Sequence, residues 1–204
     1  MRTLAALGAF LVLVLASSPE ALGLPGKTAG AQRGHATPPQ TPREHALAVP
    51  ASRARPSGTK RLLSTLELDI VARINALRTT RGLRPLRVSR RLTAAASYHT
   101  RQMGELGFFE HESVNGAAFW RRIERFYPAG RGYWSVGENL FYESPDTSAS
   151  SAIREWMQSP PHRQNVLDRE WQDIGISAEH FDSAPGPFGG RSVTIVTADF
   201  GVRR

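Results

Sequence analysis

Apolar residues run almost without interruption over residues 4–16, thin out over residues 24–60, and from Leu63 onward recur at helical and then strand spacings. Ser64 followed by Glu67 forms a capping box, and Leu63 with Leu68 fits a hydrophobic staple. Leu66, Ile70, Ile74 and Leu77 repeat at helical spacing with Val71 beside them, which predicts a first helix stopped at Gly82. Leu83, Pro85 and Leu86 read as an extended connection. Ser89 caps a second helix through Leu106, with Leu92, Ala96, His99, Met103 and Leu106 facing inward. A short helix over residues 117–126 turns Phe119, Ile123 and Phe126 to one side, and residues 127–135 form a loop. Residues 136–141 are a strand. Ser144-Pro145-Asp146 caps a fourth helix to about Gln158, with Ile153, Trp156 and Met157 inward; Ser159-Pro160-Pro161 breaks it and leaves His162, Arg163 and Asn165 on a short turn. Residues 174–177 and 192–200 are rich in β-branched residues and predict a closing hairpin. Helices first, then a strand, a helix and a hairpin specify an α+β domain whose few strands pair antiparallel under covering helices.

Composition changes this picture mainly at the amino end. A positive start, a short apolar run and small residues at Ala16-Ser17-Ser18 and Ala21-Leu22-Gly23 predict a cleaved secretory signal over residues 1–23. The run falls short of the roughly 20 apolar residues that a spanning helix needs. Residues 24–60, rich in Pro, Gly, Ala, Thr and Arg, lack an apolar period and read as a disordered linker in which His35 and His45 are solvated. The ordered domain is expected over residues 61–204. The formal charge of +8 is uneven: residues 1–60 hold seven basic and two acidic residues, against nineteen and sixteen in the remainder. Basicity therefore belongs to the leader and linker, and a specific nucleic-acid function has no support in it. The absence of cysteine excludes disulfides, thiolate chemistry and a lipidated cysteine.

The informative chemistry lies in the strand. Glu138 and Asn139 interrupt an apolar run, and a buried carboxylate there must be hydrogen-bonded, metal-bound or catalytic. His111 and His162 flank it. Two imidazoles and a carboxylate suit zinc or another divalent ion, although they sit on three separate elements and no HExxH motif fixes two of them together. The alternative is a hydrogen-bonded network tying the strand to its loops, with Asn139 and Asn165 satisfying carbonyls. His99, on an apolar stripe, reads first as a core-edge histidine. Trp120, Trp134, Trp156 and Trp171 read as core and wall residues. Arg84, Arg87, Arg90 and Arg91 form a basic cluster, ordinarily a solvated face. No Gly-x-Ser-x-Gly elbow or phosphate-cradling glycine loop is present.

Taken together, Asn75-x-x-Arg78, Gly82-Leu83, Ala96-x-x-His99, Phe108-Phe109-x-His111, Gly137-Glu138-Asn139-Leu140, Trp156-x-x-Ser159-Pro160-x-His162-Arg163-x-Asn165, Ile174-Gly175-Ile176 and Phe200-Gly201 resemble the CAP superfamily. That superfamily gathers cysteine-rich secretory proteins, antigen 5 and pathogenesis-related 1 proteins, and the resemblance is to its short bacterial branch. It implies an α-β-α sandwich with a cleft lined by two histidines and two acidic residues. His111 matches the first histidine and Glu138 the glutamate. The second acidic position of the eukaryotic pattern is Ser159 here, and His162 stands where the bacterial branch carries a histidine.

The resulting expectation is a secreted, monomeric ligand-binding module of the extracellular space or cell envelope, without a membrane span after signal cleavage. His111, Glu138 and His162 would shape the cleft and hold any divalent metal; His99, Asn139, Ser159 and Asn165 would support it. The ligand would be a lipid, a peptide or a cell-wall component. The first alternative is a metal-dependent hydrolase of peptide or envelope substrates with Glu138 as general base. The second is a structural envelope protein with an inert cleft.

Overall fold

The computed structural model describes residues 63–204. The expected signal (1–23) and linker (24–60), with His35 and His45, lie outside the described residues.

The first helix, α1 (Thr65–Thr79), begins as its sequence dictates. Ser64 Oγ accepts from the Glu67 amide while Glu67 Oε2 accepts from the Ser64 amide at 2.7 Å. The second Glu67 oxygen reaches across the molecule to accept from the Ala178 amide at 2.9 Å, so the cap also fastens the helix to the sheet. Leu63 packs on the core, but Leu68 stays 54% exposed and makes a poor staple partner. Near the other end, Arg78 is fully buried and donates to the carbonyls of Arg84, Val166 and Asp168, each at 2.9 Å. Helix α2 (Arg90–Leu106) starts at Ser89, whose hydroxyl accepts from the Leu92 amide. Leu92, Ala96, His99 and Met103 are fully buried; Leu106, the last residue of the helix, is 55% exposed. Helix α3 (Phe119–Phe126) is followed by strand β2 (Trp134–Glu143), which is longer than the apolar run alone indicates.

Helix α4 (Ala149–Gln158) is capped by Ser148 rather than in the Ser144-Pro145-Asp146 run, the Ser148 hydroxyl accepting from the Ser151 amide. After Ser159 the chain forms a second helix, α5 (Pro160–Leu167), where a short turn was expected. Proline at the first helical position needs no N–H partner, so Pro160 starts a helix as readily as it ends one. The closing hairpin is longer than its β-branched segments: β3 (Asp173–Ala184) and β4 (Arg191–Arg203) flank a short 3-10 turn at Gly186–Phe188.

The sheet order is β1-β3-β4-β2. Three long strands pair antiparallel as expected, and the two-residue β1 (Arg87–Val88) adds a parallel edge beside β3, making the sheet mixed. Helices cover both faces. On one side Ile70, Val71, Ile74, Trp156 and Val166 pack against Ile174, Ile176, Val196, Ala198, Phe200 and Val202. Each of the Ile, Val and Phe side chains contributes about 1.5–3 kcal/mol on burial. On the other side α2 lies close on the sheet: a Cβ at Gly175 would collide with the backbone of Leu92 and Thr93. Met103, Leu140, Val193 and Ile195 form one cluster there, and Leu92, Ala95, Ile123 and Tyr127 another. Trp156 and Trp171 are core residues, whereas Trp120 is 40% exposed.

Candidate functional site

Successive strand residues face opposite sides of a sheet. Glu138 and Asn139, neighbours in sequence, therefore belong to different clusters. Glu138 turns toward α3 and the segment after α2. Asn139 turns toward α5, where its Nδ2 donates to the His162 carbonyl at 3.0 Å and its Oδ1 accepts from Asn165 Nδ2 at 2.9 Å.

Asn165 Nδ2 also donates to the Glu138 carbonyl at 3.0 Å, and Trp156 Nε1 donates to that of Leu140 at 3.0 Å. Strand β2 is an edge strand, and these side chains occupy carbonyls that would otherwise template another strand. Gly137 permits the arrangement, since a Cβ there would stand 3.0 Å from both Asn165 Oδ1 and Trp171. Ser159 is the joint between α4 and α5: its amide donates to Glu155 and its carbonyl accepts from Arg163 at 2.8 Å.

The Glu138 side chain is fully buried and its two oxygens are both engaged. Oε1 accepts from His111 Nδ1 at 2.8 Å, and Oε2 accepts from Arg122 Nη2 in a very close ion pair. Arg122, 2% exposed, donates through Nη1 to the His111 carbonyl at 3.0 Å, so one guanidinium fixes both the carboxylate and the loop that bears its histidine. Burial alone would raise the Glu138 pKa; Arg122, with His99 and His111, outweighs it and holds the carboxyl well below its ordinary range.

His99 is fully buried on α2, and its Nε2 donates to the Glu110 carbonyl at 2.8 Å, anchoring the segment that leads to His111. Its pKa falls to about 4, chiefly by burial, so the ring is neutral at physiological pH. His162, half-buried on the first turn of α5, is likewise lowered to about 4, by burial and then by the charge of His111. The segment after α2 and the start of α5 thus bring His111 and His162 near each other, while the side chains bonded to Glu138 are Arg122 and His111.

Two residues of this site were missed in the sequence reading. Arg122 lies three residues after Phe119 and four before Phe126, so helical spacing alone places it on the inward stripe beside Ile123. Asp199 is directly opposite Glu138 across the β2–β4 ladder and fully buried, yet neither of its oxygens receives a hydrogen bond from an ordinary donor. Burial, followed by the adjacent Glu138 charge, pushes its pKa well above the usual carboxylate range. As the neutral acid it can share its proton with Glu138. Alternation along the final strand, counted from inward Val193 and Ile195, was the available signal.

The donor set as arranged does not fit a metal ion. Glu138 has both oxygens engaged, and among the described residues no group of three or more His, Asp or Glu side chains is placed to hold one.

The sequence profile of the Cysteine-rich secretory protein family, CAP, matches residues 71–199. The chain belongs to the CAP family. Among curated proteins, this CAP chain is 27% identical over 114 residues to YkwD of Bacillus subtilis, and 26% identical over 120 residues to the membrane protein YlbC of the same organism. These alignments cover 56% and 59% of this chain but 42% and 33% of those two proteins, so the likeness spans less than half of either relative. Among solved structures, it shares the fold of an extracellular SCP-domain protein of Bacillus anthracis, with TM-score 0.53, 19% identity, and coverage of 71% of this chain and 45% of that one. It also shares the fold of an outer surface protein of Borrelia burgdorferi, with TM-score 0.53, 18% identity, and coverage of 70% and 97%. No helix among the described residues is long and apolar enough to cross a membrane.

Proposed function

We propose that this CAP chain is an exported module that binds the glycan–peptide polymer of a cell wall at the β2 edge between His111 and His162. The observation that carries this reading is the closed pairing of Glu138 with His111 and Arg122. A carboxylate so strongly held in its charged form is a poor proton acceptor, because a working base titrates near the operating pH. The pairing instead fixes the orientation of His111. Its Nε2, like the ring of the neutral His162, has no hydrogen-bond partner among the described residues, so both imidazoles are open to the amide and hydroxyl groups of a ligand. Phe119, whose ring centroid is 6.1 Å from that of His111, adds aromatic surface of the kind that packs on sugar rings. Export is supported by the leader-like amino end and by the fold neighbours, one an extracellular protein and the other an outer surface protein.

The test is co-sedimentation of the full chain with insoluble peptidoglycan stripped of phosphate polymers. Binding that drops at least tenfold in His111→Ala, His162→Ala, with the variant still unfolding cooperatively above the assay temperature, is expected. Equal sedimentation of the double variant overturns the reading. Release of soluble fragments that stops in Glu138→Gln turns it toward a hydrolase.

A further inference from the structure

At the opposite edge of the sheet from β2, residues 84–91 carry Arg84, Arg87, Arg90 and Arg91, all exposed. The segment is pinned along its length. Arg78 Nε donates to the Arg84 carbonyl at 2.9 Å, and Asn75 holds Leu86 by both backbone groups, at 3.1 and 2.7 Å. The Arg87 amide donates to Gln172 at 2.9 Å and the Ser89 amide to Ile174 at 2.8 Å. A fifth arginine, the exposed Arg203, sits over the Tyr127 ring at 4.0 Å, and the Tyr127 hydroxyl donates to Asp173 at 2.8 Å.

Asp173 is the carboxylate that answers this charge, and both of its oxygens are in use. Oδ1 pairs with Arg87 and Oδ2 accepts from Tyr127. Arg84, Arg90 and Arg91 have no acidic partner among the described residues. The placement also runs against the helix dipole: Arg90 and Arg91 occupy the first turn of α2, which contains no acidic residue, where the positive end of the helix disfavours cations. An anionic partner at this surface relieves both the mutual repulsion and the dipole conflict. Arg84, Arg87 and Arg90 recur at every third residue, so the Cα atoms of consecutive members are at most about 11 Å apart. A row of guanidinium forks on a fixed backbone suits repeated phosphate groups better than an isolated anion, because each fork can engage phosphate oxygens in pairs.

We propose that the arginine strip at residues 84–91, with Arg203, is a docking surface for a linear phosphodiester polymer of the cell envelope. The proposal rests on the export put forward above and is independent of what the histidine cleft binds. It gives the module two contacts with a wall, one at each edge of its sheet.

The test is fluorescence anisotropy of a labelled synthetic oligo(glycerol phosphate) titrated with the full chain over a range of salt. The triple variant Arg84→Gln, Arg90→Gln, Arg91→Gln is compared with a charge-matched variant, Arg121→Gln, Arg125→Gln, Arg131→Gln, in which all three residues are exposed. The strip variant is expected to lose about tenfold or more in affinity, and its slope of log affinity against log salt to flatten by about two. The charge-matched variant should lose no more than about twofold. Because the strip variant removes two cations from a helix start, its melting temperature should not fall; if it does, Arg84→Gln alone is compared with Arg125→Gln alone, with about a twofold loss expected in the first and none in the second. Equal losses in strip and control variants, or none in the strip, overturn the proposal. So does binding to phosphatidylglycerol vesicles without binding to the oligomer.

Discussion

The two faces of the sheet are built on different principles. Under α1, α4 and α5 the packing is mainly aliphatic and aromatic, from Ile70 and Ile74 to Ile176, Val196 and Phe200, and the polar groups there, Asn139 and Asn165 at the β2 edge and the buried Glu67 and Arg78 of α1, bond largely to backbone. Under α2 and α3 the apolar residues split into two clusters, and between the elements lie Glu138, Arg122, His99, Thr100, Thr197 and Asp199, each buried. Thr100 donates to Thr197 at 2.8 Å, but Arg122 Nε, His99 Nδ1 and both Asp199 oxygens have no ordinary partner. A fold can be stabilised by the first face alone. The second places charges where burial is unfavourable and offsets them by pairing, which makes that face sensitive to single substitutions and to pH.

The largest test of this contrast is Arg122→Ala. It leaves Glu138 a buried carboxylate with His111 as its one remaining partner and should cost about 3–5 kcal/mol in urea unfolding, with much of the loss recovered when Glu138→Gln is added. A cost below about 1 kcal/mol would mean that the ion pair organises nothing. Asn165→Ala, which removes the donor shared by the Glu138 carbonyl and Asn139, should cost about 1–3 kcal/mol. On the apolar face, Ile176→Val should cost only about 0.5–1.5 kcal/mol and leave the dependence on pH unchanged.

Acid should act through the polar face. His99 and His162 have folded pKa values of about 4 against 6.5 unfolded, so the unfolded chain takes up protons first and stability falls as pH drops from about 6.5 to 4. The depressed carboxyl of Glu138 adds to this below its unfolded value of about 4.5. His99→Gln should flatten the slope of melting temperature against pH in that window; an unchanged slope assigns acid sensitivity elsewhere.

The smallest expected effect has the opposite sign. Asp199 has a raised pKa, so its contribution to stability is fully present below its unfolded value and is lost as pH rises from there through its folded one. Asp199→Asn keeps the shape and removes the titration. The variant should be within about 1 kcal/mol of the parent at pH 5 and gain relative to it as pH rises to 8. A variant that instead weakens steadily with rising pH would show that Asp199 is ionised in the fold.

The sequence by itself determined what depends on near neighbours. Ser64 and Glu67 set the start of α1, the i, i+3, i+4 apolar stripes set four helices, and the ordered run of motifs carried the CAP family. It also singled out His111, Glu138, His162, Asn139 and Asn165 as polar residues needing partners. Tertiary structure decided which partners they took. The two-residue β1 has no periodicity of its own and exists because β3 runs beside it. Glu138 and Asn139 diverge because a strand alternates, and Arg122 meets Glu138 because α3 packs back over β2 across a separation of sixteen residues. Asp199 became an acid facing a carboxylate only through the register of β2 on β4, 61 positions apart in the chain. Local spacing encodes a side chain's face, but the energy of a buried charge depends on what lies within a few ångströms, and that neighbourhood exists only after the chain has closed.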